Sequence, residues 1–129
     1  MKTLLIAALL LLPVTAWAEG PVVKQSTCVA SWTAPTTNAD GTALTDLAAY
    51  RLYDGAALTP FATVPSSTAA PAPNTVVTAS CKTWPVGQRH TTVSAVDTTG
   101  NESVRSTSFP FVLQDDVPPQ APSGLRVGP

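Results

Sequence analysis

The segment Cys28-Val29-Ala30-Ser31-Trp32 is the clearest indication of the fold in this sequence. Successive side chains of an extended strand point to opposite faces, so Cys28, Ala30 and Trp32 share one face. That face carries a large indole ring, a small methyl group and a thiol, and Cys81 is the only other cysteine of the chain. The pattern predicts a strand that faces a hydrophobic core, and it does not indicate a catalytic site.

The N-terminus is typical of a secretory signal peptide over residues 1–18. Lys2 precedes an apolar run over residues 4–12, and Ala16-Trp17-Ala18 supplies a small-x-small cleavage site. The alternative is a membrane anchor, but the run is much shorter than the roughly 20 residues that a spanning helix needs. We expect cleavage after Ala18, export to the periplasm or the extracellular space, and no membrane span after cleavage.

Composition narrows the class of protein. The formal net charge is −1, and without a cluster of Lys and Arg we expect no nucleic-acid partner. The chain has 13 prolines and is rich in Thr and Val, which disfavours long helices and favours strands. We therefore expect one all-β domain over residues 19–113, followed by a proline-rich linker or tail over residues 114–129.

The two cysteines favour one disulfide, because an exported chain of this size meets an oxidising environment. The alternative is a pair of free or metal-binding thiols. A zinc site needs about four ligands, and His90 is the only histidine available to complete it. We expect no metal site and no cofactor.

The expected strands alternate apolar and polar residues between turn signals. Tyr50 and Leu52 share one face of the third strand, while Val93 and Ala95 share one face of the sixth. The expected ranges are 21–24, 25–32, 49–53, 61–64, 75–80, 90–97 and 104–111.

Three segments resemble the fibronectin type III family. Ser31-Trp32-Thr33-Ala34-Pro35 resembles the second strand of that family, and Tyr50-Arg51-Leu52-Tyr53 resembles the third. Val93-Ser94-Ala95-Val96-Asp97-Thr98-Thr99-Gly100-Asn101-Glu102-Ser103 is similar to the sixth strand and following hairpin of bacterial members. The resemblance covers about residues 21–113. It implies an immunoglobulin-like, seven-stranded antiparallel β-sandwich, with Trp32, Tyr50, Leu52, Val93 and Ala95 in the core.

The resemblance also bears on the cysteines. The second and fifth strands of the family are antiparallel neighbours, which implies that Cys28 and Cys81 lie close together and form the disulfide. The family usually lacks disulfides, and it usually carries a tyrosine near the start of the sixth strand, where Arg89 or His90 stands in this chain.

The C-terminal segment resembles the linker and first strand of a second such domain, over Pro118 to Val127. A tandem cut short would explain it, and a disordered tail is the simpler expectation. A further alternative is strand addition, in which Leu125 and Val127 dock on the first-strand edge of this domain or of a neighbour.

The candidate catalytic and metal-binding residues have simpler structural roles. His90 lacks a nucleophile motif to activate, so we expect no catalytic residue and no enzyme. Asp97, Asn101 and Glu102 could ligate calcium, but polar residues in a hairpin more often cap turns.

Tyr53 and Trp84, with Phe61, could form a ligand-facing aromatic platform, and the alternative is that they belong to the core. The fold resemblance implies a non-catalytic exported binding or spacer module for an unknown protein or carbohydrate. The alternatives are an accessory domain of a secreted polysaccharide-degrading enzyme, or a phage or surface structural protein.

Overall fold

A computed structural model describes residues 20–129, so the predicted signal peptide over residues 1–18 lies outside the described residues. The described chain is built of strands, with one 3-10 turn, Gln25–Thr27. The strands are β1 (Val22–Lys24), β2 (Val29–Thr33), β3 (Leu47–Asp54), β4 (Ala62–Pro65), β5 (Val76–Ser80), β6 (Gly87–Asp97) and β7 (Phe109–Gln114). Among residues 20–129 there is no helix with the length and hydropathy to cross a membrane.

The strands form two sheets that face each other. The larger sheet has five strands in the order β1-β7-β6-β3-β4, and the smaller sheet has only β2 and β5. β1 runs parallel to β7, with Val22 opposite Val112, so the larger sheet is mixed and the expectation of a wholly antiparallel fold is wrong. The cause is the turn Gln25–Thr27, which carries the chain out of the larger sheet before β2 begins.

The strand limits differ most from the sequence prediction before β2 and before β7, and β6 also begins three residues earlier than expected, at Gly87. Residues 25–27 turn instead of extending, and the amide of Cys28 donates to the Gln25 carbonyl at 3.4 Å. Residues 104–108 follow β6 without forming a regular strand. Ser103 and Ser106 donate their amides to β6 carbonyls at 2.8 Å, while their hydroxyls accept from the amides of Ala95 and Val93. Serine hydroxyls thus replace main-chain acceptors along this part of β6.

The core lies between the two sheets. Trp32 of β2 meets Tyr50 of β3 edge to face, with ring centroids 5.2 Å apart. Tyr50 and Leu52 are buried, whereas Trp32, Val93 and Ala95 are half-buried and pack against the buried clusters. The residues at the centre of the core are Cys28, Leu52, Cys81, Trp84, Phe111 and Leu113 in one cluster and Ala34, Leu44, Leu47 and Tyr50 in the other.

The predicted disulfide is confirmed. Cys28 directly precedes β2, Cys81 directly follows β5, and their Cα atoms lie 5.1 Å apart. The β2–β5 register places Val29 opposite Ser80, so the bond continues the ladder by one pair. The amide of Cys81 also donates to the Cys28 carbonyl at 3.1 Å. The disulfide therefore fixes one end of the smaller sheet.

The C-terminal segment begins one residue later than the predicted boundary, because Gln114 still pairs with Lys24. Asp116 then accepts hydrogen bonds from the amide of Ser26 at 2.8 Å and from its hydroxyl at 2.5 Å. Beyond this contact the segment is exposed and forms no strand, and Leu125 and Val127 are each 94% exposed. Docking of these two residues on the chain's own first-strand edge, one of the alternatives above, is therefore wrong.

Candidate functional site

The smaller sheet is incomplete on one side. β2 pairs with β5 along one edge, and within residues 20–129 no strand pairs with its other edge. The larger sheet has five strands, so two strands cannot cover its inner face. An unpaired edge presents a row of free main-chain donors and acceptors, which proteins normally cover or interrupt.

The hydrogen bonds at the ends of β2 show which groups are free. Cys81 donates to the Cys28 carbonyl, and Ala34 donates to the Thr75 carbonyl at 2.8 Å. The main-chain N–H and C=O groups of successive residues in an antiparallel strand point alternately to its two sides. Cys28 and Ala34 are six residues apart, an even number, so both direct these groups toward β5. Every second residue between them therefore also faces β5. The residues that direct their amides and carbonyls outward are Val29, Ser31 and Thr33.

An apolar groove runs beside this edge. It has a volume of about 370 Å³ and lies between β2 and the inner face of β6 and β7. Ala30 and Trp32 form one wall, and Phe109 and Phe111 form the other. Phe109 is 60% exposed although Phe111, on the same face of β7, is 6% exposed. The difference arises because the smaller sheet does not reach far enough to cover Phe109.

The edge and the groove together have the properties of a strand-addition site. An extended peptide beside β2 would pair with the free main-chain groups of Val29, Ser31 and Thr33. Its alternate side chains would enter the groove, which gives such sites their selectivity. The site therefore selects for an extended backbone with apolar residues at alternate positions.

A second concavity, at the other end of the sandwich, is polar. It has a volume of about 520 Å³ and lies between residues 35–47 and residues 95–103. Asp40 in this wall accepts hydrogen bonds from the hydroxyl of Thr42 at 2.6 Å and from its amide at 3.0 Å. These bonds, the hydroxyl first, lower the pKa of Asp40 below its ordinary value.

Asp97 has the same role in the hairpin. Its carboxylate accepts from the amides of Thr99 and Asn101 and from both side chains, at 2.8 to 3.0 Å. These bonds, the Asn101 side chain first, lower the pKa of Asp97. The two carboxylates thus stabilise turns, and no group of three or more metal-ligating side chains occurs in the part of the chain that the structure describes.

Glu102 joins the hairpin to the outer face of the larger sheet. Its carboxylate accepts hydrogen bonds from the Ser94 hydroxyl at 2.5 Å, from the Tyr53 hydroxyl, and from Arg51 at 3.0 Å. These bonds, Ser94 first and Tyr53 second, lower the pKa of Glu102. The guanidinium of Arg105 lies over the Tyr53 ring, 3.6 Å from its centroid.

The aromatic platform is therefore not formed. Tyr53 is 3% exposed under Arg105 and Glu102, and Trp84 is 6% exposed in the core. Trp84 meets Phe61 edge to face, with centroids 5.0 Å apart. The interpretation of Tyr53 and Trp84 as an exposed, ligand-facing platform is wrong because both side chains are buried, although Trp84 contributes to the lining of the groove beside β2.

His90 lies on β6, beside a local ion pair. Its amide donates to the Asp54 carboxylate at 3.0 Å, and the same carboxylate pairs with Arg89 at 2.9 Å. Asp54 thus ties the start of β6 to the end of β3. This contact involves the main chain of His90 and assigns no chemical role to its ring.

Comparison with known proteins adds no assignment, since no family model, no curated protein and no solved structure matches the chain. The fibronectin type III resemblance rests on the three sequence segments alone. The groove was missed by sequence reasoning. The available signal was Phe109-Pro110-Phe111, in which two large apolar residues share one face of a short strand.

Proposed function

We propose that the chain is an exported, non-catalytic binding module of the fibronectin type III type, an immunoglobulin-like sandwich of seven strands. Its function is to bind an extended segment of protein along the open edge of β2. The two facing sheets, the Cys28–Cys81 disulfide and the three family-like segments support this assignment. The disulfide and the signal-like N-terminus support export, because such bonds persist in oxidising compartments.

The observation that carries the proposal is the unpaired edge of β2 beside an apolar groove of about 370 Å³. Main-chain pairing supplies binding energy from any extended segment, and the groove adds selectivity for apolar side chains. The disulfide ends this strand, so the edge is held rigid before a ligand arrives. A pre-organised site loses less conformational entropy on binding.

A protein ligand is favoured over a carbohydrate. Sugar-binding platforms present aromatic faces to solvent, and the two rings considered for that role, Tyr53 and Trp84, are buried. This burial counts against the accessory domain of a polysaccharide-degrading enzyme. A surface or phage structural role remains compatible with the proposal, because strand addition can join subunits as well as bind ligands.

The proposal is tested by selecting peptides from a random display library on the full chain and locating their binding by amide hydrogen exchange. Bound peptides should protect the amides of Val29, Ser31 and Thr33. Ser31→Pro removes one outward-facing amide without touching the β2–β5 bonds, and it should abolish binding. Ser31→Ala keeps that amide and is the matched control. Peptides that bind but protect no β2 amide would contradict the proposal.

A further inference from the structure

We propose that the occupant of the β2 edge is the segment Gly124–Val127 of a second copy of this chain. The inference rests on the proposed function, namely that this edge binds an extended segment, and it adds the identity of the partner. Each copy then supplies one strand and offers one edge, so two copies can exchange strands reciprocally or successive copies can form a chain.

The segment has the composition of a β-strand with one apolar face. Leu125 and Val127 lie two positions apart, so an extended backbone places both side chains on the same face. Both are 94% exposed, and Arg126 between them would point to solvent. The segment contains no proline, so each residue retains the amide that pairing requires.

The groove has room for these two side chains. An apolar cavity of about 150 Å³ is enough to hold a benzene molecule, and the groove beside β2 has about 370 Å³. The exposed surfaces also match in chemistry, because Phe109 on the groove wall is apolar and 60% exposed. Docking would cover apolar surface on both partners.

The tail cannot readily reach its own groove. Asp116 anchors it to Ser26, three positions before β2 begins. The prolines at 118, 119 and 122 favour an extended polyproline conformation with about 3.1 Å per residue, so Gly124 lies about 25 Å beyond the anchor. β2 itself, at about 3.3 Å per residue, is about 17 Å long, and the three positions between Ser26 and its start add about 6 Å at the 3-10 rise of about 2 Å per residue. An extended linker therefore places Leu125 and Val127 beyond the far end of their own edge.

The linker is a poor strand partner for its own edge. If the tail folded back along β2, residues 117–122 would have to pair first, and they include Pro118, Pro119 and Pro122, each of which lacks an amide donor. The linker thus prevents self-pairing and presents Leu125 and Val127 to a neighbour. This division of the tail is the reason for choosing a second copy over intramolecular docking.

The first experiment measures association of the full chain by sedimentation velocity over a wide concentration range. The unaltered chain should form dimers or larger species. The variant Leu125→Asp with Val127→Asp should weaken association by about a hundredfold, because each buried aliphatic side chain contributes roughly a factor of ten. Val104→Asp is the matched control, since Val104 is 92% exposed and does not line the groove.

The second experiment tests the edge directly and avoids variants of the folded core. A synthetic peptide of residues 122–129 is added to the Leu125→Asp, Val127→Asp chain, and amide exchange is measured. Protection of the Ser31 amide supports the inference. Phe109→Asp should weaken the peptide complex by about tenfold, for the same reason as above. Leu58→Asp should not, because Leu58 is 92% exposed away from the groove.

Two results would overturn the inference: a chain that stays monomeric with no peptide protection of Ser31, or association that persists in the double-aspartate variant. If library peptides still protect β2 in either case, the proposed function stands and only this occupant is wrong. If no peptide of any sequence protects β2, both proposals fail.

Discussion

Breaking the Cys28–Cys81 bond should destabilise the domain by about 4 kcal/mol. The bond joins residues separated by 53 positions, and closing a loop of that length in the unfolded chain accounts for about 4 kcal/mol in the chain-entropy description. Domains of this size are stable by about 5–15 kcal/mol. The reduced protein should therefore lose between about a quarter and four fifths of its stability, and it should unfold at a lower urea concentration.

The assay is equilibrium unfolding in urea, followed by tryptophan fluorescence, with and without reductant. With a slope of about 1–3 kcal/mol per molar urea, reduction should lower the midpoint by roughly 1–4 M. The slope itself should rise, because the unfolded chain without the bond exposes more surface. Both cysteines are buried, at 4% and 1% exposure, so native protein should be reduced only as fast as it opens.

Cys28→Ala with Cys81→Ala is the control, and its unfolding curve should not respond to reductant. A difference below about 1 kcal/mol between oxidised and reduced protein would refute the reasoning. Such a result would mean that the unfolded chain already keeps β2 and β5 close together, since the loop entropy could not then be recovered on reduction.

Three further predictions concern the larger sheet and the core. Glu102→Gln should lower the free energy of unfolding by about 1 kcal/mol at neutral pH. The effect is this small because the Arg51–Glu102 ion pair is partly exposed to solvent. The pKa of Glu102 is lower in the folded protein than in the unfolded chain. The ionised carboxylate therefore contributes its full stabilisation above the ordinary glutamate pKa, and this contribution is lost as the pH falls through the pKa of the folded state. The urea midpoints of wild type and variant should then converge in acid. In Gly20→Ala the added Cβ would lie 1.9 Å from the Pro110 carbonyl oxygen, which should push residues 20–21 away from β7. The amide of Val112, which donates to the Pro21 carbonyl at 2.9 Å, should then exchange faster, and unchanged exchange would contradict this contact. Trp84→Ala should cost about 3–5 kcal/mol by thermal unfolding, and a cost below about 1 kcal/mol would contradict its burial.

An open edge is a risk as well as a site. Exposed strands recruit other strands, and many proteins protect their edges with charged side chains or proline. β2 has neither, since Val29, Ser31 and Thr33 are the residues that face outward. The edge therefore either has a specific occupant or causes non-specific association, and the sedimentation experiment separates the two through its tail variant.

The alternation of residues predicted the strands well but not what covers the outer face of the larger sheet. Tyr50 and Leu52 face the core as the pattern indicates. Tyr53 was a candidate for ligand contact, yet Tyr53 and Ser94 on the opposite face are 3% and 2% exposed. Glu102 contacts both of them, and Arg105 lies over the Tyr53 ring. Local alternation cannot predict the cover over Tyr53, because Glu102 lies 49 positions away in the chain.

The all-β class, the approximate strands and the single pair of cysteines can all be read from the amino-acid sequence. These properties follow from local rules of side-chain alternation, turn residues and composition. The three-dimensional arrangement was needed to show that β1 joins β7, that one edge of β2 is unpaired within residues 20–129, and that Tyr53 and Trp84 are buried. Sheet partners are chosen by contacts between distant segments, and their energies depend on the whole packing. The alternation within Cys28 to Trp32 thus predicts a core strand. Its role as a candidate binding edge depends on the sheet order, in which no strand of residues 20–129 pairs with the second edge of β2.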